Sequence, residues 1–391
     1  MKILAIETSC DETAISVVGA SGGFSRPRFR VLSNVVASQI KLHAKWGGVV
    51  PNLAKREHAK NLIPVLEKSL KQAGLFEKRK RASAISSDKL KKLSVFFERE
   101  PELLTRFLTF ISDIKTPKID AIAVTVGPGL EPALWMGVNF AKALNEIWGK
   151  PIIPVNHMEG HIAAALLTAK PPAVKFPAMA LLVSGGHTEL VLMRDWLKYK
   201  IVGQTRDDAI GEAFDKVARM LELPYPGGPE ISKLAEEKFP APFTLPRPMI
   251  NSKDFDFSFS GLKTAVFYKV KELGFEQLHE HPKLIFKKEA AYEFQQAAIE
   301  VLVFKTIEAA KKYKAKTIIL GGGVAANKEL RDRLKKAIKE NLPDSLFLVP
   351  PRKFTTDNAA MIGAAARFRA LKKGFAKNPN RLKADGNMAI K

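Results

Sequence analysis

Short apolar runs bounded by polar or glycine-rich turns alternate along the chain with segments whose apolar residues recur at helical spacing. Strands are predicted at 119–126 and 346–349. Helices are predicted from about residue 131, at 294–313 and at 358–371. Alternation of strands and helices is typical of layered sheets, so the pattern predicts an α/β fold.

Two segments repeat one pattern, an apolar strand, a polar turn and a second apolar strand. The first spans residues 3–18, with the hydroxyl-rich turn 8–13. The second spans 179–193, with the turn 184–188, which contains two glycines. Backbone N–H groups and hydroxyls of such turns can cradle phosphate. The repetition near the start of each half predicts two lobes with related cores and a ligand cleft between them.

The pattern divides the chain into lobe I at 1–175 and lobe II at 176–371, whose last helix is expected to pack back toward lobe I. Residues 77–118 interrupt the alternation and predict a basic, partly helical insertion in lobe I. Residues 372–391 are rich in basic residues and contain glycine, proline and asparagine, so they predict a flexible tail.

The 391 residues carry a net charge of +23, and 46% of them are apolar. About half of the excess lies in two segments. Residues 77–118 hold 11 basic and 6 acidic residues, and residues 367–391 hold 8 basic and 1 acidic. This charge favours a polyanionic partner such as a nucleic acid, although a solvated basic face without a ligand is equally consistent with it.

Three features of composition indicate a cytoplasmic protein. The single cysteine, Cys10, excludes an internal disulfide framework and fits a reducing compartment. Apolar runs stay shorter than the roughly 18 residues that span a bilayer. The chain enters a strand at its first residues, which leaves no space for a leader peptide.

His157 and His161 are the most informative residues. They follow an apolar strand, and on a helix residues i and i+4 share a face, so both imidazoles can reach one metal ion. A third ligand is needed, and Asp357 in the Thr-Asp-Asn run at 356–358 is the best candidate. Two histidines and one carboxylate leave open coordination positions. The alternative is a pair of hydrogen-bonded core histidines. The zinc-protease motif H-E-x-x-H is absent, and Glu159 should point away from the histidine face.

Three further polar segments suggest ligand binding. The glycines at 321–323 join a strand to a helix whose N-terminus favours an anion. Residues 211–216 open a helix with two acids and precede a sharp turn at 224–229. Residues 255–263 alternate aromatic and small polar residues, as an edge strand or a loop lining a cleft would. Each segment alone is equally explained as a tight turn, first-turn helix acids or a half-buried strand.

Together these segments closely resemble the universal tRNA threonylcarbamoyl-adenosine synthesis family in its bacterial form. The resemblance covers roughly 1–76 and 117–370. The Gly-Leu-Glu-Pro-Ala run at 129–133 differs from the sequence that bacterial members usually have at this turn. Its motifs appear in one order, as Ile6–Thr13 (I-E-T-S-C-D-E-T), His157–His161 (H-M-E-G-H), Leu182–Thr188 (L-V-S-G-G-H-T), 211–216, 225–229, 257–263, 321–327 and 356–358.

The resemblance implies a two-lobed actin/sugar-kinase/Hsp70-like fold and a transferase. Family members move a threonylcarbamoyl group from threonylcarbamoyl-adenylate to the exocyclic amine of the tRNA adenosine 3′ of the anticodon, and AMP leaves. It implies that His157, His161 and Asp357 bind one divalent metal, with iron(II) expected and zinc the alternative. Many relatives carry an additional acid at the position of Ser232. The implied adenylate-site residues are Leu182, Val183, Ser184, Gly185, Gly186, Asp215, Gly228 and Asn327.

The resemblance also implies partners, an inactive paralogous actin-like subunit and a small P-loop ATPase, with no membrane. For the general base the residues suggest Glu12 or Asp11, unless these carboxylates only organise the first turn. Three other functions are consistent with parts of the pattern. They are a small-molecule kinase or ATPase of the same fold, a metallopeptidase, and a non-catalytic RNA-binding subunit. The His pair disfavours the kinase, because Mg²⁺ prefers oxygen ligands.

Overall fold

The computed structural model describes residues 1–80 and 84–391, so residues 81–83 of the predicted insertion lie outside the described residues. The described chain forms two compact units. Unit 1 consists of 1–43, 49–173 and 357–390, and unit 2 of 44–48, 174–356 and residue 391. The main change of unit lies at 173/174, two residues before the predicted boundary. The chain from Asp357 onward belongs to unit 1.

Ten strands are present among the described residues. Their bounds are β1 Lys2–Glu7, β2 Glu12–Ser21, β3 Arg28–Ser38, β4 Ala121–Gly127, β5 Ile152–Asn156, β6 Ala178–Val183, β7 Thr188–Asp195, β8 Lys198–Gln204, β9 Thr317–Gly321 and β10 Leu346–Leu348.

Twelve α-helices are present in the same part of the chain. Their bounds are α1 Ile40–His43, α2 Pro51–Gln72, α3 Ser87–Phe96, α4 Pro101–Asp113, α5 Glu131–Trp148, α6 His157–Ala164, α7 Ile210–Met220, α8 Gly227–Ala235, α9 Ser260–Glu272, α10 Glu280–Lys312, α11 Lys328–Asn341 and α12 Ala359–Lys372.

The two units repeat one sheet topology. The order is β3-β2-β1-β4-β5 in unit 1 and β8-β7-β6-β9-β10 in unit 2. In each sheet the first three strands in sequence form antiparallel pairs. The fourth strand pairs with the first in parallel, and the fifth pairs with the fourth in parallel. This duplication confirms the predicted α/β class and the two-lobed actin/sugar-kinase/Hsp70-like fold.

The unit 1 sheet is covered on one face by α2 and α5, and α4 packs on α2. Apolar residues of β1 and β2 such as Leu4 and Val17 lie in the shared core. The predicted insertion is part of this core. Phe97 and Phe107 are buried, and the ring of Phe107 lies 5.7 Å from that of Phe140 on α5. The insertion therefore contributes two helices that pack in the core of unit 1.

Helix α12 covers the opposite face of the same sheet. Its closest approach is at Gly363, where an added Cβ would lie 2.7 Å from Val18 on β2 and 3.5 Å from Ala5 on β1. The absence of a side chain at Gly363 therefore allows the last helix of the chain to lie directly on the central strands.

The core of unit 2 packs α7, α9 and α10 against β6 and β7, with the rings of Phe214 and Phe294 only 5.0 Å apart. One prediction needs correction here, because helix α10 begins at Glu280 rather than at residue 294. The aromatic-polar run at 255–263, predicted as an edge strand or a loop, forms one bridge from Thr205 to Phe257 and enters α9 at Ser260.

The tail predicted to be flexible contacts unit 1 at several points before Lys391, and its flexibility stays a prediction. The backbone of Ala376 donates to Ile152 O at 2.8 Å, and that of Asp385 donates to Val126 O at 2.8 Å. Ala384 and Ile390 are buried. Apolar residues alternate with exposed ones from Leu382 onward, as in a strand with one buried face, and the high charge of the segment concealed this period.

No helix in the described part of the chain is both long enough and apolar enough to cross a membrane.

The packing of the tail predicts a strong effect at Gly127. Its φ of 152° favours glycine, and an added Cβ would lie 2.0 Å from Asp385 O. We expect Gly127→Ala to lower the free energy of unfolding by about 2–4 kcal/mol, measured by chemical denaturation. Gly149→Ala is the matched control, because Gly149 has a φ of 65° and no neighbouring atom within 4 Å of such a Cβ. Equal losses in the two variants would contradict tight packing of the tail.

Candidate metal centre and glycine-turn site

Helix α6 begins at His157 because Asn156 caps it. The Asn156 side-chain oxygen accepts a hydrogen bond from the backbone N–H of Met158 at 2.8 Å. The two histidines then lie one turn apart on the same face, with ring centroids 4.6 Å apart. The predicted turn into a helix at this point is confirmed.

Helix α12 brings the third residue to this pair. At Gly160 an added Cβ would lie 2.8 Å from the Ile362 side chain and 3.1 Å from that of Met361, so these two side chains of α12 fill the space that Gly160 leaves open on α6. Asn358 caps α12 by accepting from the N–H of Met361 at 3.1 Å. Asp357 immediately precedes this cap and therefore lies beside the histidines.

One carboxylate oxygen of Asp357 lies 3.4 Å from Nε2 of His157 and 3.4 Å from Nε2 of His161. The three ligand atoms all lie within 4.8 Å of one another. Two ligands at about 2.1 Å from a tetrahedral metal are separated by about 3.4 Å, so the donor set and its spacing fit a divalent ion. The structure thus brings the three predicted ligands together, and metal binding itself stays a prediction.

Glu7 orients His157 and is a functional residue that the sequence analysis did not single out. Its Oε2 lies 3.1 Å from His157 Nδ1 and accepts from the hydroxyl of Thr125 at 2.6 Å, while its Oε1 accepts from the backbone N–H of Ser9 at 2.5 Å. Ser9 Oγ also lies 3.2 Å from His157 Nδ1. A carboxylate on Nδ1 fixes the tautomer that leaves Nε2 able to bind a metal.

The charges around the centre favour a cation. Burial alone would lower the pKa of His157, but the carboxylates of Asp357 and Glu7 outweigh it and hold the pKa well above its usual value. Burial would raise the pKa of Glu7, but the charge and hydrogen bond of His157 hold it below its usual value. The two carboxylates therefore stabilise positive charge at the position between the imidazoles.

Glu159 has a structural partner. Both of its oxygens accept from the guanidinium of Arg369 on α12, at 2.5 and 2.9 Å. The prediction that Glu159 points away from the histidine face is confirmed. A carboxylate held in this ion pair is unsuited to act as the general base of a metallopeptidase.

The turn between β1 and β2 presents Asp11 and Glu12. His58 on α2 holds this turn through Nε2, 2.9 Å from Cys10 O, and Nδ1, 2.8 Å from the hydroxyl of Thr13. Burial, with the nearby carboxylates of Asp11 and Asp357, raises the pKa of Glu12 well above its usual value. A carboxyl group with a raised pKa is a stronger proton acceptor once ionised, as a general base requires.

In unit 2 the turn after β6 is exposed at Gly185 and Gly186, and an added Cβ at either residue would meet no atom within 4 Å. Ser184 closes the turn, because its N–H donates to His187 O at 2.8 Å and its hydroxyl accepts from the N–H of His187 at 3.1 Å. Its carbonyl accepts from the N–H of Gly211 at 3.2 Å, which joins the turn to α7. The turn thus offers backbone N–H groups that a ligand can approach.

Four other residues form a second connected group in unit 2. Asp215 accepts from the N–H groups of Gly227 at 2.7 Å and Gly228 at 3.3 Å, which fixes the start of α8. Ser232 donates to Gly228 O at 2.8 Å, and the amide of Asn327 donates to the Ser232 hydroxyl at 2.9 Å. The structure therefore brings Asp215, Gly228 and Asn327 together through Ser232.

Leu182 and Val183 are present in β6 with side chains that are fully buried. Leu182 also pairs with β7 and β9, so neither residue presents an exposed surface to a ligand in this structure. Gly322 makes a close approach there, since an added Cβ would lie 2.2 Å from Val183 O. Gly322 therefore lets the turn after β9 lie against the end of β6.

The family model and the curated relatives that match the chain carry the same description. The family model described as tRNA N6-adenosine threonylcarbamoyltransferase matches residues 30–85 and 101–364. The break contains α3, and the tail lies beyond the match. The chain is 44% identical over 366 residues to the tRNA N6-adenosine threonylcarbamoyltransferase of Persephonella marina, covering 93% of this chain and 88% of that one.

The protein of the same name from Thermosipho africanus is 42% identical over 391 residues, with full coverage of both chains. Among solved structures, the chain is similar to a ROK family glucokinase from Streptomyces griseus in complex with glucose and AMPPNP. The TM-score is 0.41 at 13% identity, with 94% of this chain and 99% of that chain covered. This last similarity is too weak to support a conclusion about function.

The contact between Glu7 and His157 predicts a change in metal affinity. Glu7→Gln keeps the shape of the side chain and removes the charge that orients His157. We expect the affinity for Zn²⁺, measured by competition with a chelator, to fall about 10- to 100-fold. Glu131→Gln, on α5 of the same unit, should leave the affinity unchanged. The role assigned to Glu7 is wrong if both variants bind Zn²⁺ as tightly as the unchanged protein.

Proposed function

The chain belongs to the tRNA N6-adenosine threonylcarbamoyltransferase family, and on this basis we propose its reaction. The enzyme transfers the threonylcarbamoyl group from L-threonylcarbamoyl-adenylate to the exocyclic amine of the tRNA adenosine 3′ of the anticodon, in tRNAs that read codons beginning with A. AMP is the second product. The observation that carries the proposal is the convergence of His157, His161 and Asp357 within a chain that matches the family on both sides of these residues.

We propose that these three residues hold one divalent metal, iron(II) in preference to zinc. Their chemistry fits either ion, since imidazole nitrogen and carboxylate oxygen bind both. When bound, such a metal supplies Lewis-acid polarisation of a carbonyl or phosphate oxygen. Asp357, the most exposed of the three side chains at 22%, lies on the side of the centre that is open to a ligand.

The proposed adenylate site uses the turn at Ser184, Gly185 and Gly186, with Leu182 and Val183 as the end of the strand that leads into this turn. Exposed N–H groups of a glycine turn can hold the phosphate as negative charge develops on it. Asp215, Gly228 and Asn327 complete the site through the hydrogen-bonded group at the start of α8. In this chain Ser232 links Gly228 to Asn327 at the position where many relatives carry an acid.

The proposed chemistry is an acyl transfer from an activated donor. The adenine amine attacks the carbonyl carbon of the mixed anhydride, a C–N bond forms, and the C–O bond to the phosphate breaks. Because an exocyclic adenine amine is a weak nucleophile, positioning contributes much of the rate. The proton leaves the amine to a nearby base, for which Glu12 is the proposed residue.

Transfer RNA is the proposed macromolecular substrate, because a net charge of +23 suits a dense polyanion. The inactive paralogous actin-like subunit and the small P-loop ATPase of the bacterial family are proposed protein partners. A kinase or metallopeptidase has less support here. The His/His/Asp set does not match the oxygen ligands of Mg²⁺, and Glu159 is bound to Arg369.

The test of function compares the unchanged protein with His157→Ala. Each is mixed with unmodified tRNA, synthetic threonylcarbamoyl-adenylate and the two partners, and modified adenosine is measured by mass spectrometry of digested nucleosides. We expect product from the unchanged protein and at least a 100-fold slower rate from the variant, because one metal ligand is missing. Equal amounts of product from both proteins would show that His157 is not needed for transfer and that the His pair has a structural role. No product from either would contradict the proposed transferase.

Glu12→Gln tests the base. We expect the transfer rate to fall about 100-fold, the usual contribution of a positioned base, while binding of the donor stays the same. The measurement is single-turnover transfer at saturating donor, with donor affinity determined separately. A full transfer rate with unchanged donor binding would show that Glu12 only organises the turn.

A further inference from the structure

The segment 376–390, here called the strap, is hydrogen-bonded to β5 and β4 of the unit 1 sheet. Its first contact is the bond from Ala376 N–H to Ile152 O, and its second is the bond from Asp385 N–H to Val126 O, both 2.8 Å. Gly129 N–H then donates to Gly386 O at 3.1 Å. The strap is therefore part of unit 1.

The strap ends beside α6, the helix that carries His157 and His161. The amide of Asn156 donates to Met388 O at 3.4 Å, and Asn156 is the residue that caps α6 immediately before His157. On its other side the strap meets Gly129, where an added Cβ would lie 2.5 Å from Ser9 O. Ser9 in turn contacts His157. The strap thus contacts residues that adjoin the metal ligands.

The inner and outer sides of the strap differ in chemistry. Leu382, Ala384 and Met388 pack against the core of unit 1. The cations on the outer side, Lys377, Arg381 and Lys383, are exposed. Ion pairs between described residues involve none of these three cations. The strap therefore presents a row of positive charge to solvent on a backbone held at several points.

The insertion at 77–118 is the competing basic segment, and its charge is more fully compensated. Lys92 pairs with Glu146 at 3.1 Å, and Lys115 pairs with Glu77 at 3.0 Å. The insertion has 6 acidic residues for its 11 basic ones, whereas residues 372–391 have 1 acidic residue for 6 basic ones. The strap is therefore the stronger candidate for an anion-binding surface.

We infer that Lys377, Arg381 and Lys383 form a rim that binds the phosphate backbone of tRNA, on the strap whose far end contacts the cap of α6. The inference rests on the proposed function, because it takes tRNA as the acceptor. Lysine and arginine contacts to phosphates orient a nucleic acid without reading its sequence. Since the strap is bonded to the cap of α6, phosphates on the rim hold the RNA in a constant relation to His157.

The test uses the full chain with its metal and the triple variant Lys377→Gln, Arg381→Gln, Lys383→Gln. Affinity for unmodified tRNA is measured over a range of salt concentrations. We expect Kd to rise about tenfold or more near 0.15 M salt, and the slope of log K against log salt to become shallower by about two to three. Metal content and thermal stability should not change, because the three side chains lie outside the metal centre.

Two control variants make the result specific. The first control is a triple variant of the insertion, Lys89→Gln, Lys91→Gln and Arg99→Gln. It removes the same charge and should leave Kd within about threefold of the unchanged protein. The second control is a triple variant of the rim, Lys377→Arg, Arg381→Lys and Lys383→Arg. It keeps the charge of the rim and should bind tRNA as tightly as the unchanged protein. Equal weakening by the rim and insertion variants would overturn the inference, because it would indicate a general charge effect.

The inference about the rim and the proposed transferase function can be disproved independently. If the unchanged protein modifies tRNA while the rim variant binds tRNA normally, the inference is overturned and the proposed function stands. If the rim variant alone loses tRNA binding while the unchanged protein transfers no group, the rim is supported and the proposed function is overturned.

Discussion

The metal centre depends on the close contact between α6 and α12 at Gly160. Because this residue has no side chain, Ile362 and Met361 fill the space next to α6. Two ligands extend from one helix and the third precedes the other, so the distance between the helices sets the distance between the ligands. The pair of Glu159 with Arg369 joins the same two helices further along α12. Loss of either partner would leave a charge uncompensated in a largely buried position, so the pair links the two helices.

The duplicated sheet places one polar turn in each unit at the end of its first strand. In unit 1 the turn after β1 carries Ser9 and Glu12, beside the metal centre. In unit 2 the turn after β6 carries Gly185 and Gly186. The same backbone topology thus supports side-chain chemistry in one unit and backbone N–H chemistry in the other. Elements that differ between the units, such as α12 and the strap, adapt unit 1 to hold the histidines.

Local spacing explains what could be predicted from the sequence. The i, i+4 separation of His157 and His161 and the two strand–turn–strand repeats are short-range patterns, and both elements formed as expected. Glu7 had no such signal, because it ends an apolar strand and its partner lies 150 residues away. The first 14 residues of α10 are mostly polar or charged, so apolar periodicity placed its start too late.

The buried residues of the two basic segments could not be predicted from charge and composition. Both basic segments have the composition of solvated chain, yet Phe97 and Phe107 of the insertion and Ile390 of the strap are buried. A few apolar residues at the spacing of a helix or strand are enough to anchor a segment whose other positions are charged. Net charge alone therefore indicates which side of such a segment faces solvent and says little about whether the segment is ordered.

The discontinuity of unit 1 has a consequence for how the protein is made. Residues 1–173 leave the ribosome with both histidines, but Asp357 follows only after the whole of unit 2. Domains generally fold as units during synthesis, starting from the N-terminal side. The sheet of unit 1 is therefore complete while its α12 face is still uncovered, and unit 2 has time to fold first. Residues 357–390 then close unit 1, so the centre can assemble only after Asp357 has been made.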